Sequence, residues 1–180
     1  MDPQALIHRY YADWPELEDI LLRHSERVRD RALSIAARHP ELHLDERFLA
    51  EAAMLHDIGI VRCNAPGIKC FGTEPYIRHG LLGGEILRSE GLPSHARVAE
   101  RHTGTGLTAE AIRRQGLPLP ERDFVPETAE EQVVCYADKF YSKTRPDVEK
   151  TPEQALQSLA KFGEEGLGVF RGWMERFEDY

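Results

Sequence analysis

The chain has 180 residues, 41% of them hydrophobic and 30% charged, with a formal net charge of −8, a composition that suits one globular domain with a sizeable core. That acidity disfavours a nucleic acid polymer, which is bound by neutralising many phosphates with Lys and Arg; a small phosphorylated substrate needs only a few local cations. No apolar run approaches the roughly 20 residues of a membrane span, and Met1-Asp2-Pro3-Gln4 lacks a signal-peptide pattern. The three cysteines, Cys63, Cys70 and Cys135, do not make a disulfide framework, so a cytoplasmic protein without a membrane partner is expected.

Helical spacing recurs along the chain and strand signals are almost absent. Pro15 opens a helix to about Arg38, with Leu17, Leu21, His24, Val28 and Ile35 on one face. Asp45 caps a second, carrying Leu49, Ala52, Ala53 and His56, and Gly59 marks its end. Residues 60–75 read as a loop, long enough to serve as a lid or specificity element. Helices follow over 76–90, from a cap at Ser94 to His102, from a cap at Thr108 to Gln115, over 127–141 and over 152–161, before an amphipathic tail with Trp173, Met174 and Phe177. The expectation is an all-α bundle of seven or eight helices with no sheet. It forms one domain, with a core over 15–145 and a helical tail over 152–178.

His24, His56 and Asp138 each lie in register with apolar residues of their helices. Burying an aspartate is costly unless it is paired or bound to metal, and one shared cation resolves all three burials. Adjacent helical residues diverge by about 100°, so His56 and Asp57 reach one site only where the helix ends, at Gly59. Imidazole and carboxylate together suit Fe, Mn, Co or Zn more than Ca. His79 and His102 follow at equal intervals, each with a glycine nearby, Gly80 and Gly104, that would let a ligand approach. His8, His39, His43 and His95 have no place in the pattern and are read as surface residues.

The ordered set His24, His56-Asp57, Asp138 resembles the HD superfamily of metal-dependent phosphohydrolases, and His56-Asp57-Ile58-Gly59 is similar to the motif of its HDIG subgroup. The likeness runs from about Leu21 to Arg145. It implies a helical HD domain that holds two divalent transition ions. His24, His56 and Asp138 would hold the first ion and His79 and His102 the second. Asp57 would bridge them as the catalytic carboxylate. It further implies hydrolysis of a phosphomonoester or phosphoanhydride in a small substrate such as a nucleotide or dinucleotide. Lys139, Lys143 and Arg145 are expected to bind that substrate, with Arg145 aimed at the metal face if the helix continues past Tyr141. Arg62, Lys69 and Arg78 are further candidates.

Two other readings stand beside hydrolysis: an HD module that senses a nucleotide without turning it over, and a di-iron oxygenase on the same ligands. Against the oxygenase, Gly106 stands where the resemblance calls for a lysine one turn after His102.

Overall fold

The computed structural model describes residues 1–178, and nine α-helices lie among them. The first, α1 (Pro3–Tyr11), was not expected from the apolar spacing. Its signal is at the cap, where the Asp2 carboxylate accepts from the N–H groups of Gln4 and Ala5 and Pro3 takes the first helical position. The spine is α2 (Pro15–Arg38), which packs along α3 (Glu46–Leu55) and α7 (Ala129–Asp138). Asp45 caps α3 through Phe48 N–H, and Thr108 caps α6 (Ala109–Gln115) through Ala111 N–H. The helix expected from Ser94 is instead α5 (Pro93–Arg101), opened by Pro93 with no side-chain cap.

The expectation of no sheet needs correction. Residues 63–75 fold into a small sheet of β1 (Cys63–Ala65), β2 (Cys70–Phe71) and β3 (Glu74–Pro75) in the order β2-β1-β3. β1 runs antiparallel to β2 and parallel to β3. Strands of two or three residues are too short to leave an alternating pattern. The fold is therefore mainly α with this one insertion.

Helix α4 (His79–Ser89) lies against α5 at backbone distance. A Cβ at Gly80 would stand 2.6 Å from the Ala99 carbonyl oxygen, and one at Gly84 would meet the Glu100 side chain at 2.6 Å. Gly80, expected to clear space for a ligand, instead clears space for a helix. After α7 come α8 (Pro152–Ser158) and α9 (Glu164–Phe177), whose Phe170, Trp173 and Phe177 surround the ring of Tyr136.

The buried apolar residues form two large clusters. One joins α1 and the first half of α2 to α4 and α5, through Leu21, Leu55 and Ile86 among others. The other joins the second half of α2 to α7 and α9, through Val28, Val134 and Phe170. His24 sits between Leu21 and Val28 on α2, at the seam. Among the described residues no helix is long and apolar enough to cross a membrane.

Candidate metal centre

Four helix ends and the middle of α2 deliver six side chains to this seam. His79 is the first residue of α4, His102 follows α5, and Asp138 is the last residue of α7. After Leu55 the chain passes His56 and Asp57 and tightens into a 3-10 turn over Ile58–Arg62, so two consecutive side chains face the same point.

Two groups result. Ligand atoms of His24, His56, Asp57 and Asp138 all lie within 4.8 Å of one another, as do those of Asp57, His79 and His102. Asp57 belongs to both. Its Oδ2 lies 3.3 Å from His24 Nε2 and 3.1 Å from His56 Nε2, while its Oδ1 lies 3.5 Å from His79 Nε2 and 3.3 Å from His102 Nε2. Asp138 Oδ1 faces His24 Nε2 at 3.0 Å and His56 Nε2 at 3.4 Å.

Three of the four imidazoles are fixed from behind. The Nδ1–H groups of His56, His79 and His102 donate to the carbonyls of Ala53, Tyr76 and Ala99 at 2.6, 2.7 and 2.7 Å. That bond leaves Nε2 as the ligating nitrogen. His79 Nε2 and His102 Nε2 then stand 2.9 Å apart, close enough for both to bind one cation set to the side of the line between them. His56 Nε2 and Asp57 Oδ1 are buried without an aligned hydrogen-bond partner. Buried polar atoms of this kind are costly unless something binds them, and an ion pair of the N/O-binding type fits them.

The local field agrees. Burial opposes charge on Asp57, but Lys143 and His56 outweigh it and hold the carboxyl well below its usual range. Asp138 is held low in the same way, against burial, by Lys139, His24 and His56. His56 is pushed up to about 9, since Asp57 and Asp138 outweigh its burial. A field that favours a proton on Nε2 equally favours a metal cation there. Burial and then the adjacent His102 push His79 down to about 3, and His102 is lowered by its burial. Both are thereby kept neutral, the ligating form.

The expected substrate cations take different places. Lys139 is buried, with Nζ on Asp138 Oδ2 at 2.6 Å and on the His102 carbonyl at 2.7 Å. Lys143 Nζ touches Asp57 Oδ2 at 2.5 Å. Arg145 is exposed and is not brought to the centre. Helix α7 ends at Asp138, so no helical turn carries Arg145 inward. Arg62, Lys69 and Arg78 have acidic neighbours in Glu85, Glu16 and Glu74.

A pocket of about 760 Å³ opens beside His79, His102 and Asp138. Sequence reasoning missed two of its walls. Tyr76 stacks on His79 with ring centroids 4.7 Å apart, and Lys150 enters from beyond the α7 turn; no spacing marks either. Of the four histidines read as surface residues, His95 is buried, edge-on to Phe48 and 3.2 Å from Glu51. Its helix presents it to α3, which only tertiary packing reveals.

Gly59 has a different use from the one its motif position suggested. A Cβ there would lie 2.1 Å from the His79 carbonyl oxygen and 2.3 Å from Gly83 N. The glycine lets α4 press against the turn that carries Asp57, which sets His79 opposite it.

Residues 21–142 match the family model described as HD domain. A protein named tRNA (cytidine(56)-2'-O)-methyltransferase from Picrophilus torridus is 37% identical over 129 residues, 71% of this chain and 33% of that protein. One of the same name from Thermoplasma volcanium is 33% identical over 138 residues, 76% of this chain and 35% of its own. An uncharacterized protein from Methanocaldococcus jannaschii is 34% identical over 114 residues, 63% of this chain and 60% of its own. The chain thus spans about a third of the length of the two named relatives. No solved structure matches it significantly.

These relatives overturn several expectations. A phosphohydrolase for a small nucleotide or other phosphorylated compound, and the exclusion of a nucleic acid polymer, both give way to names that state methylation of tRNA. Net charge does not exclude such a partner, because it averages over the whole surface, whereas recognition depends on where the cations stand.

Proposed function

The chain belongs to the HD-domain family, and on that premise we propose that it is a metal-dependent module that binds tRNA in the service of the 2'-O-methylation its relatives are named for. The carrying observation is the extent of the match. A stretch covering 71% of the chain cannot be laid along it without including the positions from His56 to His102. The part shared with tRNA-modifying proteins therefore includes most of the candidate metal centre, yet it is only a third of those proteins. We assign to this chain the metal-dependent part of the task and a cytoplasmic setting. We also read it as a single HD domain, with its core over 15–145 and the tail over 152–178 packed on it.

In this reading His24, His56 and Asp138 would hold one divalent transition ion, His79 and His102 would hold a second, and Asp57 would serve both, with Fe, Mn, Co and Zn suited to the donors. The ion pair supplies concentrated positive charge and Lewis acidity toward phosphate oxygens. The protein's own groups do the rest. The three backbone-anchored imidazoles keep their orientation, Lys139 holds Asp138 and the His102 carbonyl together, and Lys143 steadies Asp57 at the pocket floor.

The test is a mobility-shift titration of an unmodified tRNA transcript with the Mn²⁺-loaded protein, the chelated protein and Asp57→Ala. The loaded wild type should retain the tRNA, and the other two should bind it about tenfold more weakly or worse, the order of one lost charge-assisted contact. Absence of a shift at low salt, or equal shifts for all three, would sink the proposal.

A further inference from the structure

Four lysines line the pocket beside the centre, Lys139, Lys143, Lys150 and Lys161, in a chain of net charge −8. Lys139 and Lys143 lie on carboxylates. Lys150 differs. Its Nζ donates to the Lys139 carbonyl at 3.2 Å, and among the described residues it forms no ion pair. Burial weakens its charge, and the neighbouring cations Lys139, Lys161 and Arg145 push the same way, against a partial offset from Asp138. Like charges crowded in a half-buried place favour a bound anion. The pocket thus has two positive positions, the centre itself and the Lys150 corner.

The same pocket is lined by the apolar or aromatic side chains of Tyr76, Ile77, Leu117 and Leu159. The volume, about 760 Å³, falls in the range of about 300–1,000 Å³ that encloses a drug-sized ligand. One or two nucleotides fit; a base-paired helix does not.

We infer that this pocket takes an unpaired stretch of an RNA strand, with one phosphate at the centre, the next at Lys150, and a base against the apolar lining of the pocket. The inference rests on the tRNA reading above and narrows it to single-stranded RNA. Two positive positions and an apolar lining in one pocket match the phosphates and bases that alternate along a strand. A mononucleotide satisfies only one of the positions. Bases freed from pairing expose the faces that such walls stack against.

The experiment is fluorescence anisotropy on the Mn²⁺-loaded full chain with a short labelled single-stranded RNA, the same sequence as a blunt duplex, and an unlabelled mononucleotide as competitor. The single strand should bind at least about tenfold tighter than the duplex, the order set by one stacked base. Lys150→Ala should weaken single-strand binding, and its log K against log salt slope should be shallower by about 0.7, the value for one phosphate contact on a single strand. Lys150→Arg, which keeps the charge, should retain binding, and unchanged metal content in both variants shows that the centre is intact. Equal binding of strand and duplex, a mononucleotide that competes as well as the strand, or a Lys150→Ala protein with wild-type affinity and slope would each overturn the inference. If the tRNA transcript is retained while any of these holds, the tRNA reading stands and this one fails. If neither tRNA nor the short strand is bound, the tRNA reading has failed and this one falls with it.

Discussion

The ammonium of Lys139 donates to the carbonyl oxygen of His102 at 2.7 Å. The same group holds Asp138 Oδ2 at 2.6 Å, so one buried cation ties a side chain of the first ligand group to the backbone of the second. Lys139→Met should leave a buried carboxylate oxygen and a carbonyl without their donor, costing about 1–3 kcal/mol. Thermal unfolding and elemental analysis of the same sample read the result. Both melting temperature and metal content should fall, and wild-type values for both would make Lys139 merely a pocket charge.

Asp57 faces both histidine pairs through opposite oxygens. Asp57→Ala should therefore deplete two ions, whereas His79→Ala and His102→Ala should deplete one and leave the set of His24, His56 and Asp138 loaded. Metal per chain after anaerobic purification distinguishes these patterns. Full content in Asp57→Ala would remove the bridging role.

Gly59→Ala places a methyl group 2.1 Å from the His79 carbonyl oxygen. Forced overlap with backbone costs typically about 1–3 kcal/mol and sometimes more, and here it would also move His79. Gly67, where a Cβ meets nothing within 4 Å, is the control: Gly67→Ala should be neutral or stabilise slightly. Denaturant midpoints of the two variants should separate clearly, and coincident midpoints would refute the packing role.

His95 gives a pH dependence whose sign can be worked out. Burial lowers its pKa from the ordinary 6.5, with Glu51 offsetting part of the shift; the other Glu51 oxygen carries the Met1 amine at 2.9 Å. The folded protein therefore binds this proton more weakly than the unfolded chain, so acid favours unfolding. The contribution is present above about pH 6.5 and is lost as the pH falls through the lowered pKa. Melting temperatures between pH 8 and 5 should drop more steeply for wild type than for His95→Gln. Parallel curves would exclude His95 as the cause.

The sequence was most legible where burial repeats with a helical period. The apolar face of α2 identified His24, and the boundary after Leu55 brought His56 and Asp57 to one point. It was less legible where short elements are held by tertiary contacts. The paired strands at Cys63–Ala65 and Cys70–Phe71 leave no alternation to read, and Lys150 reaches the pocket along an irregular segment. Arg145 illustrates the opposite error, because the helix expected over 127–141 and slightly beyond ends at Asp138. Gly59 was singled out correctly for the wrong physical reason: its neighbour across the interface, α4, cannot be seen in a local motif.

The placement of His24 between Leu21 and Val28, where two apolar clusters meet, bears on how the molecule comes apart. Helices α2, α3 and α5 contribute to both clusters, and the ligand residues His24, His56 and His102 lie on or directly after them. Ions coordinated there bind the native arrangement of both halves and neither half alone, so their binding energy becomes coupling between the two. The metal then adds to the cooperativity that the shared helices provide. With ions bound, calorimetric and van't Hoff enthalpies should agree, and with a chelator the single transition should broaden or divide.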